Sequence, residues 1–169
     1  MYFSYSSFLI YIIMFTMYLY VRKNNTAFRE TLVSVILTFY IGYIGYVIFP
    51  AVGPKFNMSH LFETSLSGSF ITGRLSFLMN YEISEYTRRD CFPSLHNGVI
   101  FLILLFAFKH QKRYAFLFLP FAIALFISTL YLRYHYFVDM IAGFLLAIIV
   151  FYLGPILNNW WEKKRLDYK

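Results

Sequence analysis

Hydrophobic positions along the chain fall into five long runs that polar segments separate. The runs cover about Tyr2–Val21, Thr31–Pro50, Pro93–Phe108, Tyr114–Leu132 and Tyr136–Leu157. The hydrocarbon core of a bilayer requires about 20 helical residues, and most of the runs are that long. The third run is the shortest and includes polar residues at its start. The pattern predicts an all-α integral membrane protein, a bundle of about five transmembrane helices in a single domain over residues 1–169.

The polar stretch Ala51–Phe92 joins the second run to the third and carries charges of both signs. Within it, six apolar residues are spaced as on one face of a short amphipathic helix: Phe70, Ile71, Leu75, Phe77, Leu78 and Met79. Such a segment typically lies in the membrane interface. We therefore expect a short interfacial helix beside the bundle.

The composition narrows the class of protein further. Of the 169 residues, 60% are hydrophobic, 23% are aromatic and only 14% are charged. A soluble domain of this size has too little interior to bury that much apolar surface, so a soluble globule and a disordered chain are both excluded. The net charge of +7 comes from short basic clusters rather than one patch, which argues against nucleic acid as a partner.

The basic clusters predict the orientation of the chain. With five spans, ten of the 15 basic residues share one side of the membrane: Arg22, Lys23, Arg29, Lys109, Lys112, Arg113, Lys163, Lys164, Arg165 and Lys169. Cytoplasmic segments carry an excess of lysine and arginine. The C-terminus is therefore predicted to be cytoplasmic, and the N-terminus and the long polar stretch non-cytoplasmic.

The first candidate for chemistry is Pro93-Ser94-Leu95-His96 at the start of the third run. Proline suits the first position of a helix because its missing N–H would be unpaired there. Ser94 and His96 would then lie in the first turn, where free N–H groups and the helix dipole favour an anion. The alternative is an ordinary helix start whose polar residues sit among the headgroups.

The second candidate is the pair His135 and Asp139 at the start of the last run. On a helix, residues four apart share a face, so the carboxylate could hold one imidazole nitrogen and leave the other free as a nucleophile or base. An acid inside a span costs about 2.5–3.5 kcal/mol on insertion scales, which favours a functional role. The alternative is a pair that only ties two helix ends together.

A third candidate, Lys55, follows the second run on the same predicted side. It could contact a phosphate. A lysine at a membrane boundary also commonly extends into water, and this reading stays open.

Taken together, these motifs resemble those of the type-2 phosphatidic acid phosphatase superfamily, which includes vanadium haloperoxidases. Pro93-Ser94-Leu95-His96 is similar to the family's PSxH block, and residues 128–139 resemble its last motif, which ends in HxxxD. The strings FPSLH and YLRYHYFVD are closer to the branch that contains inositolphosphorylceramide synthase. The resemblance covers about residues 49–143.

The resemblance implies a mechanism for this chain. His135 would attack phosphorus and form a phosphohistidine, and Asp139 would orient and charge-stabilise it. His96 would protonate the leaving alkoxide and then activate water or an acceptor alcohol. Ser94 and nearby backbone amides would hold the phosphoryl oxygens. The family chemistry implies neither a metal nor another cofactor.

The sequence departs from the family pattern in three places. Thr129 stands where the family has an arginine, and Arg133 could replace that arginine if the helix continues that far. The first family motif is not intact; Lys55 is its best remnant, with Arg88 or Arg89 as alternatives. Family members commonly have six spans, and this chain shows five runs.

The leading hypothesis is a lipid phosphatase that cleaves a phosphoester or pyrophosphate bond at the non-cytoplasmic face. Its partners would be a lipid phosphate and, in a transfer reaction, an alcohol acceptor such as inositol. The alternatives are a lipid phosphotransferase, a non-catalytic lipid-binding or transport protein, and a site in which His96, His135 and Asp139 ligate a metal.

Overall fold

The computed structural model describes residues 1–63, 73–74 and 89–167, and the regular secondary structure over these residues is helical. The α-helices are, in chain order, α1 Tyr2–Ser6, α2 Phe8–Val21, α3 Asn25–Ile48, α4 Pro54–Asn57, α5 Leu95–His110, α6 Lys112–Tyr131 and α7 Phe137–Asp167. A short 3₁₀ helix, Ser59–Leu61, lies between α4 and α5. The predicted interfacial helix falls almost wholly outside the described residues.

Three of the helices, α3, α6 and α7, are long and apolar enough to cross a membrane. Helices α2 and α5 are apolar but shorter, with 14 and 16 residues. Large apolar side chains cover the outer surface of the bundle, as at Val47 and Leu117, which are 82% and 70% exposed. The prediction of an all-α integral membrane protein is confirmed, and the number of spans stays a prediction.

The first apolar run is not one helix, because the helix is interrupted at Ser7. The hydroxyl groups of Ser6 and Ser7 donate to the carbonyl oxygens of Tyr2 and Ser4, and such side-chain bonds compete with the regular helical pattern. Backbone bonds nevertheless cross the break, since Tyr11 N–H donates to the Ser7 carbonyl at 3.2 Å. The two helices therefore form one interrupted segment.

Helix α5 lies at the centre of the bundle, in contact with α2, α3, α6 and α7. Its side chains are buried on several faces, including Val99, Ile100, Leu102 and Phe106 at 0% exposure. At 1.5 Å per residue it is only about 24 Å long. A helix that protein surrounds does not have to match the lipid thickness with its own length.

Helices α5 and α7 approach each other closely at two glycines. A Cβ on Gly143 would lie 2.4 Å from the Ser94 carbonyl oxygen, and one on Gly98 would lie 2.9 Å from the Gly143 carbonyl oxygen. Small residues allow this kind of backbone approach in membrane bundles. The contact fixes the first turns of α5 and α7 against each other.

Two ion pairs tie helix ends together at the opposite end of the bundle. Lys109 near the end of α5 lies 2.7 Å from Glu30 near the start of α3, and Arg29 pairs with Glu162 near the end of α7. Helix α3 begins at Asn25, before the predicted Thr31, because the Asn24 side chain caps it by accepting from Ala27 N–H. Helix α7 extends to Asp167, well beyond the predicted Leu157, and its added turns include Glu162.

Candidate active site

His135 lies in the short connection between α6 and α7, and it is 5% exposed. Its Nδ1 atom lies 2.9 Å from the Cys91 carbonyl oxygen. A carbonyl oxygen only accepts hydrogen bonds, so Nδ1 carries the proton and Nε2 keeps a lone pair. Burial lowers the pKa of the His135 imidazole, while Asp139 and the Cys91 carbonyl oppose that shift. The ring is therefore held neutral with one nitrogen available for chemistry.

Asp139 does not hold His135 in the predicted way. Helix α7 begins at Phe137, so His135 precedes the helix and the two residues do not share a helical face. The Asp139 Oδ2 atom lies 3.9 Å from His135 Nδ1, too far for a hydrogen bond. That oxygen instead accepts from Tyr136 N–H at 2.6 Å and from the Cys91 thiol at 2.9 Å.

These two bonds give Asp139 a different function in the fold. An acid at the third position of a helix that accepts from the N-cap N–H forms half of a capping box, and it also complements the helix dipole. The carboxylate is 2% exposed. Asp139 therefore stabilises the start of α7, and its negative charge acts on His135 across a gap rather than through a bond.

The prediction that Pro93 and Ser94 lie within the third helix is wrong. Helix α5 begins at Leu95, and Ser94 is its N-cap, with its hydroxyl accepting from Asn97 N–H at 3.5 Å. Serine in extended backbone is a strong N-cap, so the helix starts after it. Ser94 N–H donates to the Asp139 carbonyl oxygen at 3.0 Å, which joins the two motifs directly.

His96 lies in the first turn of α5, as predicted, and close to His135. The centroids of the two imidazole rings are 5.9 Å apart. On its other sides His96 stacks on Tyr5 at 4.4 Å and contacts Phe8 at 4.6 Å. The start of α5, the connection that precedes α7 and the interrupted N-terminal helix thus bring the two motif histidines together.

A partly open cavity of about 70 Å³ lies beside both rings. A water molecule occupies about 10–15 Å³ of such a cavity, so this one has room for a few water molecules. Its walls come from several separate segments of the chain: Tyr5, Tyr46, Gly53, Phe56, Asp90, Cys91, His96, Tyr134 and His135.

Lys55 is not among the residues that line this cavity, but it contacts Tyr134, which is. Its Nζ atom donates to the Tyr134 hydroxyl at 3.0 Å and lies 4.5 Å from the centre of that ring. Its backbone N–H donates to the Arg133 carbonyl at 2.7 Å. Burial lowers the pKa of the Lys55 amine. The prediction that Lys55 reaches the histidine-containing end of the bundle agrees with this position.

The premise for Arg133 is wrong, because α6 ends at Tyr131 and does not continue to Arg133. Arg133 has a positive φ of 62°, and its guanidinium lies 3.8 Å from the centre of the Phe62 ring. The Arg133 side chain is not among the residues that line the cavity. Of the two alternative arginines, Arg89 is exposed and Arg88 lies outside the described residues.

Thr129 is fully buried and holds the loop that carries His135. Its hydroxyl bonds to the Asn97 side chain at 3.1 Å and donates to the Phe126 carbonyl at 2.8 Å. Its carbonyl accepts from the N–H groups of Tyr134 and His135. Thr129 therefore joins α5 to the α6–α7 connection, and it does not line the cavity.

Sequence reasoning missed Cys91 and the aromatic walls of the cavity. Cys91 is the single cysteine of the chain, and its position beside the PSLH block is the one signal that the sequence offers for it. Tyr5 and Tyr46 belong to apolar runs in a chain that is 23% aromatic. In such a background no pattern separates a tyrosine at a site from one that faces lipid.

These observations define a class of protein: a helical membrane bundle in which two histidines and an acid lie beside a cavity. The chain belongs to the PAP2 superfamily, whose family profile matches residues 1–153. The resemblance drawn from the two motifs is confirmed, including its closeness to inositolphosphorylceramide synthases.

Three curated relatives illustrate the similarity. The inositol phosphorylceramide synthase of Candida albicans is 34% identical over 127 residues, which cover 66% of this chain and 26% of that protein. A PA-phosphatase related-family protein of Dictyostelium discoideum is 32% identical over 128 residues, 72% of this chain and 22% of the relative. The inositol phosphorylceramide synthase catalytic subunit of Schizosaccharomyces pombe is 47% identical over 67 residues, 40% of this chain and 16% of the relative.

The chain spans about a quarter of the length of the first two relatives, 26% and 22%. No solved structure matches it. Family membership is thus established, while the reaction and its substrate must be argued from the site.

Proposed function

We propose that this protein is a membrane-embedded lipid phosphatase that cleaves a phosphoester or pyrophosphate bond through a phosphohistidine intermediate, without a metal. The observation that carries this proposal is the pair of imidazole rings, His96 and His135, with centroids 5.9 Å apart at one cavity. At that separation both rings can act on the same phosphoryl group, one as nucleophile and the other as acid and base.

His135 is the nucleophile in this proposal. Its Nδ1–H bond to the Cys91 carbonyl leaves Nε2 with the lone pair that attacks phosphorus. The new N–P bond forms as the bond from phosphorus to the leaving oxygen breaks. The imidazole becomes positively charged, and the carboxylate of Asp139, 3.9 Å from Nδ1, stabilises that charge.

His96 is the general acid and base. It takes up a proton when the anionic lipid phosphate binds beside it, donates that proton to the departing alkoxide or phosphate oxygen, and then takes a proton from the water that cleaves the N–P bond. Acid–base assistance of this kind is typically worth about 10²–10⁴ in rate. The cavity volume of about 70 Å³ is enough for the water that this step requires beside the rings.

Lys55 is our principal candidate for holding the phosphate, because it is half-buried and its amine bonds to Tyr134, a residue of the cavity wall. Ser94 remains a candidate on its motif, although its hydroxyl now caps α5. Arg133 and Thr129 remain weaker candidates, since one lies over Phe62 and the other is bonded to Asn97.

The substrate class follows from the surroundings of the site. The cavity lies where α3 ends and α5 and α7 begin, in a bundle with apolar outer surfaces. A lipid can place its phosphate at such a position while its chains remain in the bilayer. We therefore propose a lipid phosphate rather than a soluble phosphoester as substrate.

Headgroup phosphotransfer is the second candidate function. It is favoured by the similarity to the inositol phosphorylceramide synthases of Candida albicans and Schizosaccharomyces pombe. In that reaction an alcohol such as inositol takes the place of water in the second step. The remaining alternative, a non-catalytic lipid-binding protein, predicts no turnover of any lipid phosphate.

The test is phosphate release by the purified full chain in mixed micelles, with EDTA present. We expect phosphate release from phosphatidic acid or an isoprenyl pyrophosphate, inhibition by vanadate, and no increase on adding Mg²⁺. Formation of an inositol-phosphate lipid at the expense of free phosphate when inositol is added would favour transfer over hydrolysis. Turnover that depends on an added divalent metal would contradict the mechanism, and no turnover of either lipid would leave the binding alternative.

A further inference from the structure

Three side chains of different chemistry meet behind the His135 ring. Cys91 Sγ lies 2.9 Å from Asp139 Oδ2 and 3.7 Å from His135 Nδ1, and that nitrogen lies 3.9 Å from Oδ2. The three side chains are buried, and all of their ligand atoms lie within 4.8 Å of one another. His135 and Asp139 are close in sequence, but Cys91 precedes them by 44 and 48 residues, so the fold brings the thiol to the other two side chains.

These separations are close to those around a tetrahedral zinc ion. Zinc bonds to sulfur at about 2.3 Å and to nitrogen and oxygen at about 2.0–2.2 Å, which at tetrahedral angles places the ligand atoms about 3.3–3.6 Å apart. The S–N distance of 3.7 Å fits, while the S–O distance of 2.9 Å is shorter and the N–O distance of 3.9 Å is longer by roughly half an ångström, so these side chains must shift slightly to bind the ion. We propose that Cys91, His135 and Asp139 form a binding site for Zn²⁺.

The donor set defines the chemical class of the ion. A thiolate, an imidazole and a carboxylate suit zinc and similar borderline metals, whereas Mg²⁺ and Ca²⁺ take oxygen ligands. Cys91 and His135 also line the cavity, so an ion can enter from there and keep a water molecule as its fourth ligand. His96, which the sequence suggested as a metal ligand, is not in the group.

Metal binding rearranges the protons of the site. The Cys91 thiol donates to Asp139 and must release its proton to water when sulfur bonds to zinc. A coordinating thiol is deprotonated outright, so one proton is released per ion bound. The His135 Nδ1–H bond to the Cys91 carbonyl must also break, and its proton moves to Nε2 through water.

This proton movement makes the zinc site inhibitory, a consequence that rests on the proposed function. With zinc on Nδ1 and a proton on Nε2, His135 has no lone pair with which to attack phosphorus. Zinc and the phosphoenzyme thus exclude each other at one residue. Zn²⁺ is therefore expected to inhibit lipid phosphate turnover by acting on the nucleophile.

Binding can be measured without reference to activity. Titrating the detergent-solubilised full chain with Co²⁺ should produce cobalt–thiolate charge-transfer absorption, and Zn²⁺ should then abolish it. In Cys91→Ser the absorption should be absent, and the Zn²⁺ dissociation constant should rise by about 100-fold or more, above the roughly 10–100-fold typical of an outer-shell loss. His60→Ala, which removes an exposed histidine, is the matched control and should bind as the parent does.

Failure of the zinc site and failure of the proposed function give different results. If the parent chain gives no cobalt–thiolate absorption, the site does not exist, whatever the activity. If it binds zinc and still hydrolyses lipid phosphate at the metal-free rate, the inhibitory role is wrong. If it binds zinc but has no metal-free turnover, the proposed function fails and the site stands. Should Cys91→Ser fail to fold, the absorption of the parent chain still decides the matter.

Discussion

Cys91 determines which nitrogen of His135 is free, although no motif pointed to it. Its carbonyl accepts from His135 Nδ1 at 2.9 Å, and its thiol donates to Asp139 at 2.9 Å. Burial and the Asp139 bond raise the pKa of the thiol, so it remains a donor. The acid consequently acts on His135 through its charge, and the backbone of Cys91 orients the ring.

Asp139→Asn separates these two effects. An amide oxygen can still accept from Tyr136 N–H and keep the helix cap, but the charge beside His135 is lost. Unit charges about 4 Å apart interact by about 4 kcal/mol at an effective dielectric constant of 20, so we expect kcat to fall by up to about 10³-fold. The melting temperature should change little.

Steady-state kinetics and thermal unfolding of this variant test the separation, with Asp139→Ala as the control that removes both charge and cap. The Ala variant should lose activity and stability together. A kcat for Asp139→Asn close to that of the parent chain would mean that the charge at 3.9 Å plays no part in catalysis.

Lys55→Met tests the proposed phosphate contact. A hydrogen bond to a charged group is worth about 1.5–3 kcal/mol, so KM for the lipid phosphate should rise about 10–100-fold with a smaller change in kcat. Arg133→Ala is the matched comparison and should reduce kcat/KM less, because its guanidinium lies over Phe62. A larger loss in Arg133→Ala than in Lys55→Met would reverse the two assignments.

The sequence predicted the residues that meet, but not how they bond. His96 and His135 belong to motifs whose residue spacing can be recognised in the sequence alone. The position of Arg133 depends on where α6 ends, and residue spacing does not give that end. Arg133 itself adopts a positive φ of 62° after the helix, a conformation that glycine usually marks in a sequence and that an arginine does not reveal. The partner of His135 is a backbone carbonyl, and every residue has one.

At the scale of the elements, the first turns of α5 and α7 carry the site, and their close approach holds it together. Gly143→Ala would place a Cβ 2.4 Å from the Ser94 carbonyl oxygen, a backbone atom that cannot rotate away. Overpacking typically costs about 1–3 kcal/mol. We expect lower thermal stability and a marked loss of kcat, because the two motifs must move apart.

Leu145→Ala on the same helix is the control, since that side chain is 56% exposed. It should leave kcat and the melting temperature close to those of the parent. Thermal unfolding followed alongside turnover compares the two variants. Equal behaviour of Gly143→Ala and Leu145→Ala would show that the α5–α7 contact does not position the site.

The apolar runs predicted each long helix in the described part of the chain but missed the positions where helices begin. The discrepancies have identifiable causes: the serines interrupt the first helix at Ser7, Ser94 caps α5, and Asn24 caps α3 before its apolar run begins. Such causes depend on individual side-chain hydrogen bonds, and the pattern of apolar residues does not predict those bonds.

At the scale of the whole molecule, the site and the basic clusters lie at opposite ends of the bundle. We predict that the site end is non-cytoplasmic, since lysine and arginine are enriched in cytoplasmic segments. In spheroplasts, a membrane-impermeant maleimide should label His60→Cys and should label Arg165→Cys only after permeabilisation. Native Cys91 is 3% exposed and should give little background.

Detergent-solubilised protein is the control, because both introduced cysteines should then react. Labelling of Arg165→Cys but not His60→Cys in intact spheroplasts would invert the predicted orientation. Such a result would leave the chemistry of the site unchanged and would move it to the cytoplasmic face.

The central claim is that His135 carries the phosphoryl group during turnover. The most direct measurement uses His96→Ala and a nitrophenyl lipid phosphate, whose leaving group needs no proton, followed by quenching in base and mass spectrometry of the peptides. The account predicts a burst of nitrophenol and one phosphoryl group on His135, with neither in His135→Ala. A burst with the phosphoryl group on another residue, or continued turnover by His135→Ala, would contradict it.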